Sequence, residues 1–230
     1  MDHRLDEPRI SRREMLSAAV GVAAAGVLGP WARAAEAFAA DSPAGCIVRP
    51  EQVAGPFYRD KRDNRSDIRA DAASGKILPG IPLDLTFSVS RLDGQGCRRL
   101  SGAVVDVWNS GVDGQYSETA LRGFQTTDKD GLATFRTVFP GWYSGRTVHI
   151  HFKVRTPLQG SSGHEFISEL YFADALLDEV HGRVPYSSRG RRTTANTSDG
   201  MFRAKGAELM LPVTPHDEGY KGTFDIALKA

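Results

Sequence analysis

From Pro82 onward, glycine and aspartate turns cut the chain into stretches too short for long helices, and that punctuation most limits the folds open to it. Pro82-Leu-Asp-Leu-Thr-Phe-Ser-Val-Ser90 alternates apolar and polar residues, as a strand with one buried face does. Asp93-Gly-Gln-Gly96, Ser110-Gly-Val-Asp-Gly114 and Asp128-Lys-Asp-Gly131 read as turns around two more strand-like runs, 103–108 and 132–139. Further strands are expected near 147–154, 165–172 and 222–228, with one short helix near 175–183. Short strands without alternating long helices predict an all-β fold, an antiparallel β-sandwich with long loops.

Residues 1–40 differ in composition from the rest and are read as a targeting segment. Ser11-Arg-Arg-Glu-Met-Leu16 carries paired arginines, followed by a weakly apolar run from Ser17 to Gly29 and then Pro30. Ala32-Arg-Ala34 and Ala37-Phe-Ala39 both offer A-x-A cleavage patterns. This looks like a twin-arginine export signal, which predicts a periplasmic or extracellular protein with no membrane segment in its mature form. The apolar run is shorter than the roughly 20 residues that a spanning helix needs. Export in the folded state fits a protein that takes up a tightly held cofactor before transport.

Residues 41–230 then form one domain, and 40% hydrophobic residues supply enough apolar material for its core. A formal net charge of +1 gives no electrostatic reason to expect nucleic acid or an anionic membrane as partner. Oligomeric state is not legible. Cys46 and Cys97 are the two cysteines, and an oxidising compartment permits a bridge between them, two buried thiols being the alternative.

The chemistry concentrates in Phe139-Pro-Gly-Trp-Tyr-Ser-Gly-Arg-Thr-Val-His-Ile-His-Phe152. On a strand, His149 and His151 project from one face, and a transition metal is what draws on two adjacent imidazole lone pairs. Pro140-Gly141 turns the chain so that Tyr143 can come back over that face. An H-x-H pair alone is more often a solvated face or a hydrogen-bonded pair, so further ligands are needed. Tyr116, at the end of the loop after the second strand, is one candidate; alone it would read as a packed loop aromatic.

Taken together, Glu51-Gln-x-x-Gly-Pro-Phe-Tyr58, Val105-Asp-Val-Trp-x7-Tyr116, Arg122-Gly-Phe-Gln-Thr-Thr-Asp-x-Asp-Gly131, Phe135-Arg-Thr-x-x-Pro-Gly-Trp-Tyr143 and Arg146-x-x-His-Ile-His151 cover nearly all of the mature chain. In these motifs the sequence resembles the intradiol ring-cleavage dioxygenases of the protocatechuate, catechol and hydroxyquinol type. The resemblance implies a mononuclear, non-haem Fe(III) held by Tyr116, Tyr143, His149 and His151. Two phenolates are hard anionic donors that suit the ferric state, and neutral imidazoles add no charge. It implies a small aromatic diol and O2 as reactants, with the ring cut between its two hydroxylated carbons to a cis,cis-muconate-type product. It also implies that Tyr143 leaves the metal as a base and that Arg146 stabilises carbanionic character on the ring.

Glu169 departs from the family pattern, which has a glutamine donating to the bound substrate at that position. A carboxylate cannot donate unless protonated, so the expectation is that Glu169 is protonated or pairs with Arg146. A non-catalytic transthyretin-like binding module is the alternative from another class, and a zinc or copper site on His149 and His151 is a third.

Overall fold

The computed structural model describes residues 46–60, 63–94, 96–156 and 163–229, so the expected export signal lies outside the described residues. Among these, β1 (Pro82–Asp93), β2 (Gly96–Arg99), β3 (Val104–Trp108), β4 (Arg122–Thr126), β5 (Leu132–Val138), β6 (His149–Arg155) and β7 (Glu165–Tyr171) come first. Helices α1 (Asp174–His181) and α2 (Gly200–Lys205), with short 3-10 turns, lead to β8 (Val213–His216) and β9 (Gly219–Lys229). No helix among the described residues is long and apolar enough to cross a membrane.

The strands form two sheets, as the turn spacing predicts. One runs β2-β1-β9-β8, with β5 also paired to the first half of β1, and the other runs β4-β3-β6-β7. All neighbours are antiparallel except β1 and β9, which pair in parallel from Leu83↔Tyr220 to Leu92↔Lys229. Parallel neighbours need a long crossover, and the whole second sheet lies between these two strands in the chain.

The alternation in β1 sends Leu83, Leu85, Phe87 and Val89 inward, where they join Phe224 and Ile226 of β9 and Ile150, Phe152 and Val154 of β6 in one buried cluster. Phe152 of β6 meets Phe87 of β1 at 5.1 Å and Phe224 of β9 at 5.5 Å between ring centroids, which ties the two sheets together. Burying each such ring contributes about 1.5–3 kcal/mol.

Strand β6 has no exposed face before its last residue. Its Ile150, Phe152 and Val154 fill the core, so His149, His151 and Lys153 must point away from it, and these are buried too because other segments cover them. Part of that cover is the segment Cys46–Tyr58. The backbone oxygen of Ile47 accepts from Ala227 of β9 at 2.8 Å, and Gln52 N–H donates to Ile167 O of β7 at 2.9 Å, so this arm passes from one sheet to the other. A Cys46–Cys97 disulfide, 51 positions apart in sequence, fastens its start to β2. Closing a loop of that length restricts the unfolded chain by about 4 kcal/mol in the chain-entropy view.

Candidate metal centre

Four side chains from three segments meet over the outer face of β6. His149 and His151 stand two apart on the strand, with Nε2 atoms 3.2 Å from each other. The hydroxyl of Tyr143, from the loop between β5 and β6, lies 3.1 Å from His149 Nε2, and that of Tyr116, from the loop between β3 and β4, lies 3.5 Å from it. The two loops are packed against each other: Gly141 N–H donates to Gly111 O at 3.0 Å. Gly114 has φ +76°, and a Cβ there would fall 2.3 Å from the Trp142 carbonyl, so only glycine lets the tyrosine-bearing loops close to this spacing.

Hydrogen bonding alone does not account for the cluster. His149 Nδ1 lies 2.7 Å from the Thr147 carbonyl, which can only accept, so Nδ1 carries the proton and Nε2 presents a lone pair. That one lone pair faces two phenol oxygens and a second imidazole nitrogen. Burial pushes both imidazoles below the ordinary histidine range, His151 further than His149, so protonation does not relieve the crowding. Burial also raises both phenols, Tyr116 strongly, and the positive charge of Arg146 works against that rise. A cation at the centre satisfies all four donors. Ligands about 2.1 Å from a metal and 90–109° apart are separated by about 3.0–3.4 Å, close to the spacings seen.

The four rings are braced from outside the cluster. Trp108, opposite His151 in the β3–β6 register, stacks on it at 5.1 Å with planes 5° apart. Phe57 of the arm stacks on Tyr116 at 4.3 Å and 11°. Gly55 seats the arm over the ring of His151: φ is +64°, and a Cβ would stand 3.1 Å from Cε1 and 3.3 Å from Nε2. Gly55→Ala is expected to cost about 1–2 kcal/mol from backbone conformation alone and to weaken metal retention by pushing on His151. Thermal unfolding and metal content check this; a variant matching the parent in both would show that the arm does not bear on the ligand.

Arg146 lies between two buried carboxylates. Its Nη2 donates to Glu169 Oε2 in a short contact, and its Nε donates to Asp199 Oδ2 at 2.9 Å. Burial opposes its charge, but the two acids outweigh burial and hold the guanidinium protonated above its ordinary range. Glu169 thus pairs with Arg146, as one of the two sequence expectations has it. Asp199 went unnoticed in the sequence. Its position before Gly200-Met-Phe signals a helix cap, and Oδ1 does accept from Met201 N–H at 2.7 Å and Phe202 N–H at 3.2 Å. Nothing local shows that Oδ2 also takes the Thr147 N–H at 2.8 Å and reaches Arg146.

His149, His151 and Glu169 also form a set of potential ligands with one donor atom each within 4.8 Å of one another. Two histidines and a carboxylate are the facial triad of Fe(II) oxygenases. Glu169 does not complete such a triad here. Its Oε1 approaches His151 at Nδ1, 3.5 Å away, on the far side of the ring from Nε2, and its Oε2 is taken by Arg146 and by Tyr171 Oη at 2.5 Å.

The fold and this set of side chains define a β-sandwich protein with a candidate tyrosine–histidine metal site. The proteins that the chain is similar to are dioxygenases. It aligns with an intradiol ring-cleavage dioxygenase from Tetranychus urticae at 28% identity and a TM-score of 0.69, covering 80% of this chain and 95% of that one. It aligns with the dioxygenase domain of a dioxygenase–carbohydrate-binding protein fusion from the cellulolytic bacterium Streptomyces sp. SirexAA-E at 29% identity and a TM-score of 0.60, covering 80% and 99%. Among curated proteins, a chlorocatechol 1,2-dioxygenase from Rhodococcus opacus is 27% identical over 155 residues, which span 55% of this chain and 57% of that protein. No family model matches the chain. Its solved neighbours and its curated relative are thus ring-cleavage dioxygenases, a group of non-haem iron enzymes.

Proposed function

We propose that this chain is an intradiol ring-cleavage dioxygenase that holds one ferric ion through Tyr116, Tyr143, His149 and His151 and acts on a catechol-type diol with O2. The observation that carries the reading is the convergence of two phenol oxygens and His151 Nε2 on the lone pair of the buried His149 ring. When bound, a ferric ion with phenolate ligands supplies the means to activate a chelated diol toward O2. Both oxygen atoms enter the product, a cis,cis-muconate-type dicarboxylate, so the reaction needs no external reductant.

The protein's own groups divide the remaining work. His149 and His151 belong to a strand and are fixed by Thr147 and Trp108, so they are the stationary donors. Both tyrosines sit on loops and are partly exposed, but Tyr116 is stacked on Phe57, so the Tyr143 phenolate is the group able to swing aside and take a proton from an incoming diol hydroxyl. Arg146, held by Glu169 and Asp199, keeps a positive charge beside the ring as negative charge builds on its carbon. Phe57, stacked on Tyr116 and partly open to solvent, offers an aromatic wall for a planar substrate.

Export by a twin-arginine signal in residues 1–40, with 41–230 as the mature catalytic domain, remains part of this proposal. The Cys46–Cys97 bridge supports it, since such bonds persist in oxidising compartments. The binding-module alternative gives the four convergent donors nothing to do.

Oxygen uptake by iron-loaded protein with catechol, hydroxyquinol and protocatechuate, with product spectra, tests the activity. One O2 consumed per diol and a muconate-type product are expected. No uptake with any of the three, or an aldehyde product from cleavage beside the diol, would refute it.

A further inference from the structure

Of the buried atoms beside the centre that are left over once its other hydrogen bonds are assigned, two face each other. His151 Nδ1 and Glu169 Oε1 make no hydrogen bond of ordinary geometry among the described residues, and they lie 3.5 Å apart with their side chains 1% and 0% exposed. Their closeness follows from the sheet: β6 and β7 pair with His151 directly opposite Glu169, so both side chains rise from the same face. Buried polar atoms without partners are rare, and a facing donor and acceptor explain each other.

We infer that Glu169 is a positioning residue: its Oε1 takes the Nδ1 proton of His151, which directs the Nε2 lone pair of that ring to the centre, while its Oε2 holds Arg146. The inference rests on the ligand assignment above and gives Glu169 a role other than donating to substrate. Both carboxylate oxygens face the protein, and Tyr171, which meets Oε2 at 2.5 Å, also lies 2.8 Å from Gln52 Oε1 in the covering arm. One carboxylate therefore fixes a ligand's tautomer and holds the guanidinium. His149 achieves the same tautomer with a backbone carbonyl, and a histidine ligand that donates its other N–H to a carboxylate or carbonyl is the general arrangement around protein-bound metals. The competing acceptor is the backbone of Val53, which also interacts with the His151 ring.

The experiment uses the full chain, its Glu169→Gln variant and its Glu169→Ala variant, each metal-free and loaded with Fe(III). Nitrogen NMR of the imidazoles in the metal-free parent should show His151 protonated at Nδ1. Glu169→Gln keeps an acceptor oxygen and should retain that tautomer; Glu169→Ala should lose it and release iron to a chelator about 10–100-fold more readily than the parent. A parent in the Nε2-protonated form overturns the inference even if neither variant folds. So does a Glu169→Ala protein with the parent's tautomer and iron retention, which would point to Val53 instead. A parent that takes up no iron refutes the ligand assignment, while its tautomer still reports on Glu169.

Discussion

Replacing His149 by alanine is expected to strip the centre of its metal and to lower ring cleavage by at least about 10³-fold, equivalent to about 4 kcal/mol of lost transition-state stabilisation. No other donor is as central: its Nε2 lies within 3.5 Å of Tyr116, Tyr143 and His151 alike. The fold should survive, because the imidazole packs on the outer face of β6 while Ile150 and Phe152 hold the strand to the core. Iron analysis and circular dichroism together make the check. A folded variant that keeps stoichiometric iron would mean that the four donors do not form the site.

Arg146→Met is the second large effect, and it acts on stability as well as turnover. The substitution leaves Glu169 and Asp199 buried with no guanidinium between them, and breaking such a pair from one side costs about 3–5 kcal/mol. Loss of its charge beside the ring should lower turnover by about 10²–10³-fold as well. The stability loss should depend on pH in a defined direction. Burial alone would raise the Asp199 carboxyl, but the Thr147 N–H and the Arg146 guanidinium outweigh burial and hold it below the ordinary range. A depressed carboxyl contributes stability above its unfolded value of about 4 and loses it as pH falls through the folded value. In Arg146→Met the folded value moves up, so the gap between parent and variant should be full at pH 7 and narrow as pH falls below about 4. Denaturant unfolding at several pH values checks this. A gap that is constant or widens in acid would show that the Asp199 carboxylate does not depend on Arg146.

What the sequence disclosed, and what it hid, follows from the range of the interactions. The alternation of β1 and the shared face of His149 and His151 are properties of neighbouring residues, so they were readable. Strand β8 was not: Val213-Thr-Pro-His216 contains a proline, which argues against a strand unless the strand lies at an edge, as this one does. The Gly96-Cys-Arg-Arg99 of β2 carries no apolar alternation, because it pairs only along the open half of β1. The four side chains expected as donors lie together, although Tyr116 comes from a separate loop. Asp199 could not be found in this way, since its contact with Arg146 spans 53 positions and depends on where α2 is docked. Glu169 was visible as a residue but not as a partner of His151, which requires the β6–β7 register.

The visible absorption spectrum of purified, iron-loaded protein tests the central claim most directly. Two tyrosinates on one ferric ion predict a strong, broad band that gives the protein a red-brown colour and shifts when catechol is added. Stoichiometric iron with no visible band would contradict the account, because it would place the metal away from Tyr116 and Tyr143.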